Sequence, residues 1–233
     1  MKRTYILLCL IFFICKPSLV AESEKPIRVV SVRCLMFCQA RDFREVYLHD
    51  PLADPGVAGI KAKFKKYLNH ERFMLSLKGN LVTVCKEPLL EDPSDKALLQ
   101  VKIPLSFKRA LIVVFPGKTK EAAHRALVLD DSIESFPKGA VKCVNLSKNL
   151  MRLTLEGKSL KIKAGKTKVI TNPPVNKTNH SSMYAHCFIG NEWHRVGAGL
   201  WPHPGNKRVY EFFYHDTESG RMKLKGFKDI SPE

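Results

Sequence analysis

The chain lacks the short motifs that mark the commonest catalytic and nucleotide sites. GxSxG, HExxH, GxxxxGKS/T and GxGxxG are all absent. That removes the nucleophile elbow, the zinc-protease helix, the P-loop and the dinucleotide fingerprint as sources of activity. A triad assembled from distant residues needs only geometry, so hydrolysis of another kind stays open. Acid is scarce, with 22 Asp and Glu against 39 Lys and Arg. Beyond residue 21 no apolar run approaches the roughly 20 residues of a membrane-spanning helix. No paired CxxC site occurs, and five cysteines follow residue 21: Cys34, Cys38, Cys85, Cys143 and Cys187. An odd number at these spacings is neither a zinc site nor a closed disulfide framework; most of the five read as small core residues, with one or two bridges such as Cys143–Cys187 left open. No convincing long helix is expected, although Ile60, Phe64 and Leu68 fit a helical stripe where Ile60–Phe64 also alternates as a strand.

Residues 1–21 read as an export signal. Lys2 and Arg3 precede the apolar stretch Tyr5–Cys15, Lys16-Pro17 ends it, and cleavage is expected near Ala21. Lipidation at Cys15 is disfavoured, because Phe12-Phe13-Ile14 lacks the small residues that such processing prefers. Removal of Lys2, Arg3 and Lys16 lowers the formal charge from +17 to +14. The mature protein is therefore expected to be secreted or periplasmic and drawn to polyanions.

The clearest structural grammar lies between Arg125 and Ile170. Met151–Lys163 alternates apolar and polar residues on either side of Glu156-Gly157. A two-residue turn there sets Met151 opposite Ile162 and Leu153 opposite Leu160 on one face. It sets Arg152 opposite Lys161 and Thr154 opposite Ser159 on the other. A like-charge pair suggests solvent or an anion on that side. Phe136-Pro137-Lys138-Gly139 is a second turn, between strands at Arg125–Leu129 and Ala140–Asn145. Asp130-Asp131-Ser132 reads as a loop whose carboxylates satisfy backbone donors, with acid–base chemistry or a hard metal as the alternative. LVLDDSIESFPKG, the following VNLS and the Lys-rich hairpin resemble a family of secreted bacterial all-β proteins. LNHE at Leu68–Glu71 and the closing GRMKLKGFKD extend the likeness over most of the mature chain. The resemblance implies a sandwich-like fold and carries over no catalytic residue.

In chain order, Val29–Cys38 reads as a strand with Val30, Val32, Cys34 and Met36 on one face. Phe43–His49 follows, then Val57–Leu68, expected to form a hairpin with Arg72–Leu77. Leu81–Cys85, Leu98–Ile103 and Arg109–Phe115 come next, the last apolar enough to be buried on both faces. After a Pro-containing loop at Thr171–Ser181, strands are expected at Met183–Ile189, Trp193–Leu200, Lys207–His215 and Arg221–Phe227. The fold class is all-β, an antiparallel β-sandwich of immunoglobulin-like or jelly-roll-like kind, or two packed sandwiches. Residues 27–115 and 116–230 are expected to be its halves or domains.

Tyr210, Phe212 and Tyr214 share a strand face and read as core. Trp201 reads as exposed in the loop Leu200–Gly205, and together with Trp193 it is the aromatic candidate for stacking on a sugar ring. Lys158, Lys161 and Lys163 are the cationic candidates. His180, His186, His194, His203 and His215 are irregularly spaced, so no metal or cofactor is expected. These features point to a non-catalytic binding or structural protein of the cell envelope, with an anionic polymer, a glycan or another exported protein as partner. Nucleic acid is not expected as a physiological partner. The alternatives are a small envelope hydrolase and an accessory subunit docking through a sheet edge.

Overall fold

The computed structural model describes residues 26–38, 43–68, 71–117 and 122–230; the expected export signal, residues 1–21, lies outside them, as do Asn69 and His70 of the LNHE segment. Every regular element among the described residues is a strand. The first eight are β1 (Arg28–Met36), β2 (Val46–His49), β3 (Ile60–Ala62), β4 (Phe73–Leu77), β5 (Leu81–Cys85), β6 (Leu99–Lys102), β7 (Arg109–Phe115) and β8 (Arg125–Asp130). The second eight are β9 (Val141–Asn145), β10 (Met151–Leu155), β11 (Lys158–Ile162), β12 (Thr167–Ile170), β13 (His180–Ile189), β14 (Glu192–Pro202), β15 (Arg208–Asp216) and β16 (Arg221–Asp229).

They make four four-stranded sheets: β4-β1-β7-β8, β3-β2-β5-β6, β12-β9-β15-β16 and β11-β10-β13-β14. Adding eight to each label of the first two sheets gives the last two, so one eight-strand sandwich topology occurs twice. The parallel pair recurs as well, β7 beside β1 and β15 beside β9. All other ladders between these strands are antiparallel. The division expected at residues 115 and 116 falls between β7 and β8, which pair as neighbours in one sheet.

The alternation of side chains explains the layering. Val30, Val32, Cys34 and Met36 of β1 face a core shared with the β3-β2-β5-β6 sheet. Leu35 and Phe37 face the opposite way, into a middle core shared with Tyr210 and Phe212 of β15. Strand β7 serves both, sending Ala110, Ile112 and Val114 to the first core and Leu111 and Val113 to the middle one. A third core, with Cys143, Leu153, Cys187 and Phe213, fills the second sandwich. The molecule is thus a stack of four sheets, and the expectation of packed sandwiches holds. The β10–β11 register matches the alternation residue for residue. Its turn residues, Glu156 at φ +44° and Gly157 at φ +77°, are both left-handed, as the right-handed twist of a tight hairpin requires.

One expectation changes. Val57–Leu68 contains only the short strand β3, which pairs with β2, while β4 pairs with β1. Phe64 packs in the first core and Leu68 in the middle core, so the chain crosses between layers and cannot continue a hairpin. The five cysteines are all free; Cys143 and Cys187 are buried in the third core as small apolar residues.

Between the sandwiches lies a buried ion cluster. Arg33 of β1 donates to both oxygens of Asp131 (2.7 and 2.8 Å) and of Asp229 (2.9 and 2.8 Å). Arg208 of β15 donates to Asp131 at 2.8 Å and to Asp229 at 2.7 and 3.0 Å. It also binds the carbonyls of Asp131 and Phe136 (3.2 and 2.9 Å), and the Tyr210 hydroxyl donates to Asp131 at 2.6 Å. Burial opposes ionisation of Asp229, but the hydrogen bonds and charges of Arg33 and Arg208 outweigh it and hold the carboxyl below its ordinary value. The expected loop role fits Asp130, which accepts from the Ser132 amide at 2.9 Å. Asp131 is fully buried and structural.

Removing one member leaves the others buried and uncompensated. Asp229→Ala is predicted to cost about 3–5 kcal/mol of unfolding free energy, read from urea denaturation. Glu45→Ala, which breaks an exposed pair with Lys61 (2.7 Å), should leave the urea midpoint unchanged.

Candidate functional site

The outermost sheet, β11-β10-β13-β14, turns one face to the third core and the other to solvent. Its ladders set Lys161 opposite Arg152, Arg152 opposite His186, and His186 opposite Arg195. One basic residue from each of the four strands therefore stands in a single row on the outer face. At a strand spacing of about 4.8 Å the row is about 15 Å long. A bulge between Ala185 and His186 shifts the register of β14, and this shift brings Arg195 into line. Glu192 is the one carboxylate within the four strands, and the alternation directs it away from this face. Burial lowers the His186 imidazole below its ordinary value, and the charges of Arg152 and Arg195 push it further down. Its Nδ1 is buried without a hydrogen-bond partner among the described residues.

Aromatic residues border the row. The Arg152 guanidinium lies 4.3 Å from the centre of the Trp193 ring, which packs against Phe188 at 5.1 Å. Stacking on the indole orients the guanidinium while leaving its hydrogen-bond donors at the sheet surface. On the other side Tyr184 is exposed, and Leu200 reaches 67% exposure.

A second feature lies behind the same sheet, at the open end of the second sandwich. Trp201, Val141, Val209, Glu211 and Gly226 line a cavity of about 300 Å³, with His203, Lys207 and Lys228 around it. Glu211 is 7% exposed and has no hydrogen-bond or ion-pair partner among the described residues. Burial pushes its carboxyl up to about 7. A Cβ on Gly226 would lie 2.7 Å from Glu211 Oε2, so the missing side chain gives the carboxyl its place.

The candidates from sequence divide between these features. Trp193 and Lys161 belong to the outer face, and Lys163 lies beyond the end of β11 in the same alternation. Lys158, exposed at the start of β11, follows the opposite alternation. Trp201 is a half-buried residue of β14 facing the third core, a correction to the exposed-loop reading. It pairs with the buried Ser181, whereas Trp193 pairs with Phe188, so the two tryptophans occupy opposite faces of one sheet. Tyr210, Phe212 and Tyr214 pack in the middle core. Among the described residues no three His, Cys, Asp or Glu side chains gather to hold a metal ion. Arg195, Glu211 and Gly226 escaped the sequence reading, which took His186 only as one of several scattered histidines. The alternation in Tyr184-Ala185-His186 and in Val209-Tyr210-Glu211 carries the only trace of their positions.

Glu211 generates a pH prediction. The folded protein holds this proton up to about pH 7, and the unfolded chain only to about its ordinary value of 4.5. The folded state binds more protons between those values, so stability falls as pH rises through the window, by about 3 kcal/mol. In urea denaturation Glu211→Gln should match the parent protein near pH 4 and exceed it near pH 8. No protein-family model matches the chain, and the search of curated proteins found no relative.

Proposed function

We propose that the protein is a non-catalytic, exported binding module for an acidic polysaccharide, held on the outer face of the β11-β10-β13-β14 sheet. The observation that carries this reading is the uncompensated row Lys161–Arg152–His186–Arg195. Lys161 and Arg152 are like charges directly opposite one another, which destabilises a sheet. Arg195 stands beyond a His186 that burial and the charges of Arg152 and Arg195 keep neutral, so the row calls for an anionic partner. A linear polyanion laid across the strands would meet a cationic or histidine position on each of the four. Arg152 and Arg195 supply planar donor forks that match carboxylate or sulfate. Exposed Tyr184 and Leu200 offer apolar surface beside them for the faces of sugar rings. The charge of +14 expected after removal of residues 1–21 steers such a polymer toward the protein. The export signal expected in residues 1–21 favours an envelope polymer over nucleic acid.

The hydrolase alternative is less well supported. Both oxygens of Asp131 are engaged by the buried arginines, and Asp130 caps a turn. The test is binding to polygalacturonate at near-physiological salt, with dextran as the uncharged control. Arg152→Gln/Arg195→Gln is expected to weaken binding at least about tenfold, the loss of roughly 1.4 kcal/mol or more. Lys61→Gln/Lys63→Gln, exposed lysines near β3, should change it little. Equal losses in the two variants would mean diffuse charge attraction and would overturn the proposal.

A further inference from the structure

The repeated topology supplies an internal control for the cavity behind the sheet. Glu211 pairs with Gly226 in the β15–β16 ladder. The equivalent pair in the first sandwich is Ile112 with Val128, between β7 and β8. The register fixes this equivalence: Val32 pairs with Ala110 as Val141 pairs with Val209, and Ile112 and Glu211 each lie two residues further on. Ile112 is fully buried and Val128 packs against the same core. Where the first sandwich closes with two aliphatic side chains, the second carries a carboxyl and a glycine. The replacement opens space and directs an unpartnered polar group into it.

We propose that this cavity is a binding site for a single acidic pyranose ring, a uronate-type sugar, with Trp201 and Glu211 as its principal contacts. Its volume of about 300 Å³ is at the small end of ligand pockets and suits one ring. The apolar face of a pyranose would lie on Trp201, between walls formed by Val141, Val209 and Pro204. A ring hydroxyl would donate to Glu211, giving the buried carboxyl the partner it lacks. The ring's own acid group would face Lys207 and Lys228, both exposed. His203 Nδ1 accepts from the Gly205 amide at 3.0 Å, which leaves Nε2 as the protonated nitrogen and a further donor. An amino sugar would satisfy Glu211 but would place its ammonium in the field of the two lysines. An acid without hydroxyls would leave Glu211 unpartnered, which is costly in a buried site.

The site stands apart from the outer-face reading and is tested separately, with a free monosaccharide. A Trp193→Phe background leaves Trp201 as the sole tryptophan reporter. Titration with glucuronate should give a saturable change in Trp201 fluorescence, with glucose weaker and glucosamine weaker still. Gly226→Ala would push the carboxyl from its place, because a new methyl group would meet Glu211 Oε2. Both Gly226→Ala, which displaces the acceptor, and Glu211→Leu, which removes it, should weaken glucuronate binding about fivefold or more, as expected for one lost hydrogen bond. A two-dimensional amide NMR spectrum of each variant checks that it is folded. Arg152→Gln/Arg195→Gln should leave glucuronate binding intact, which separates failure of this inference from failure of the polysaccharide reading. No saturation at tens of millimolar, a preference for glucosamine, or unchanged binding in folded Gly226→Ala would each overturn the proposal.

Discussion

The ion cluster of Arg33, Arg208, Asp131 and Asp229 is the constraint on which the stacked architecture depends. Its members come from β1, the residue after β8, the start of β15 and the end of β16, so each sandwich contributes one arginine and one aspartate. These four groups carry two charges of each sign and are almost wholly buried. A further guanidinium, that of Arg72, reaches Asp131 Oδ2 at 3.4 Å from the rim. A middle core of Leu, Val and Phe side chains attracts without direction and would tolerate sliding. Guanidinium forks gripping two carboxylates do not, because a small displacement breaks several charge-assisted bonds together. The cluster therefore sets the register between sandwiches, and buried ions of this kind act on specificity at least as much as on net stability. With the two inner sheets fixed against one another, the outer face of the fourth sheet is left to solvent.

The same eight-strand topology appears twice, and its departures from equivalence coincide with the chemistry. Arg33 and Lys142 hold matching positions, each one residue after the partner of Ala110 or Val209. Arg33 bridges both aspartates, whereas Lys142 donates to the Asp130 carbonyl and lies over the Phe136 ring at 4.7 Å. Burial lowers the Lys142 ammonium to about 8 despite the nearby aspartates. The middle core uses equivalent positions from both sides, Leu111 with Tyr210, Val113 with Phe212, and Leu129 with Phe227. The first sandwich keeps its own core aliphatic at Ile112 and Val128. The second admits Glu211 and Gly226 at the same place. A scaffold whose packing is satisfied by one set of residues can carry a polar pair at a single mouth without losing its fold.

Much of this architecture was legible in the chain. The β10–β11 hairpin followed from strict alternation and a glycine turn, and the double burial of β7 from an unbroken apolar run. Other elements depend on partners far away in sequence. Asp131 has the local signature of a turn, and nothing adjacent announces that Arg33 and Arg208 converge on it. The topological repeat is hidden because equivalent positions hold different residues. Arg152 and Lys161 were visible as a like-charge pair, but the full row needs the registers of four strands and the bulge in β14. Trp201 follows prolyl turn grammar on one side only, and the ladder with β13 extends past it to Pro202.

The measurement that bears most directly on the functional account is a map of backbone amide shifts as the protein is titrated with a short polygalacturonate oligosaccharide. The account predicts that the largest shifts fall in β10, β11, β13 and β14, centred on Arg152, Lys161, His186 and Arg195. Shifts spread over the lysines of all four sheets, or centred on Lys61–Lys66, would contradict it.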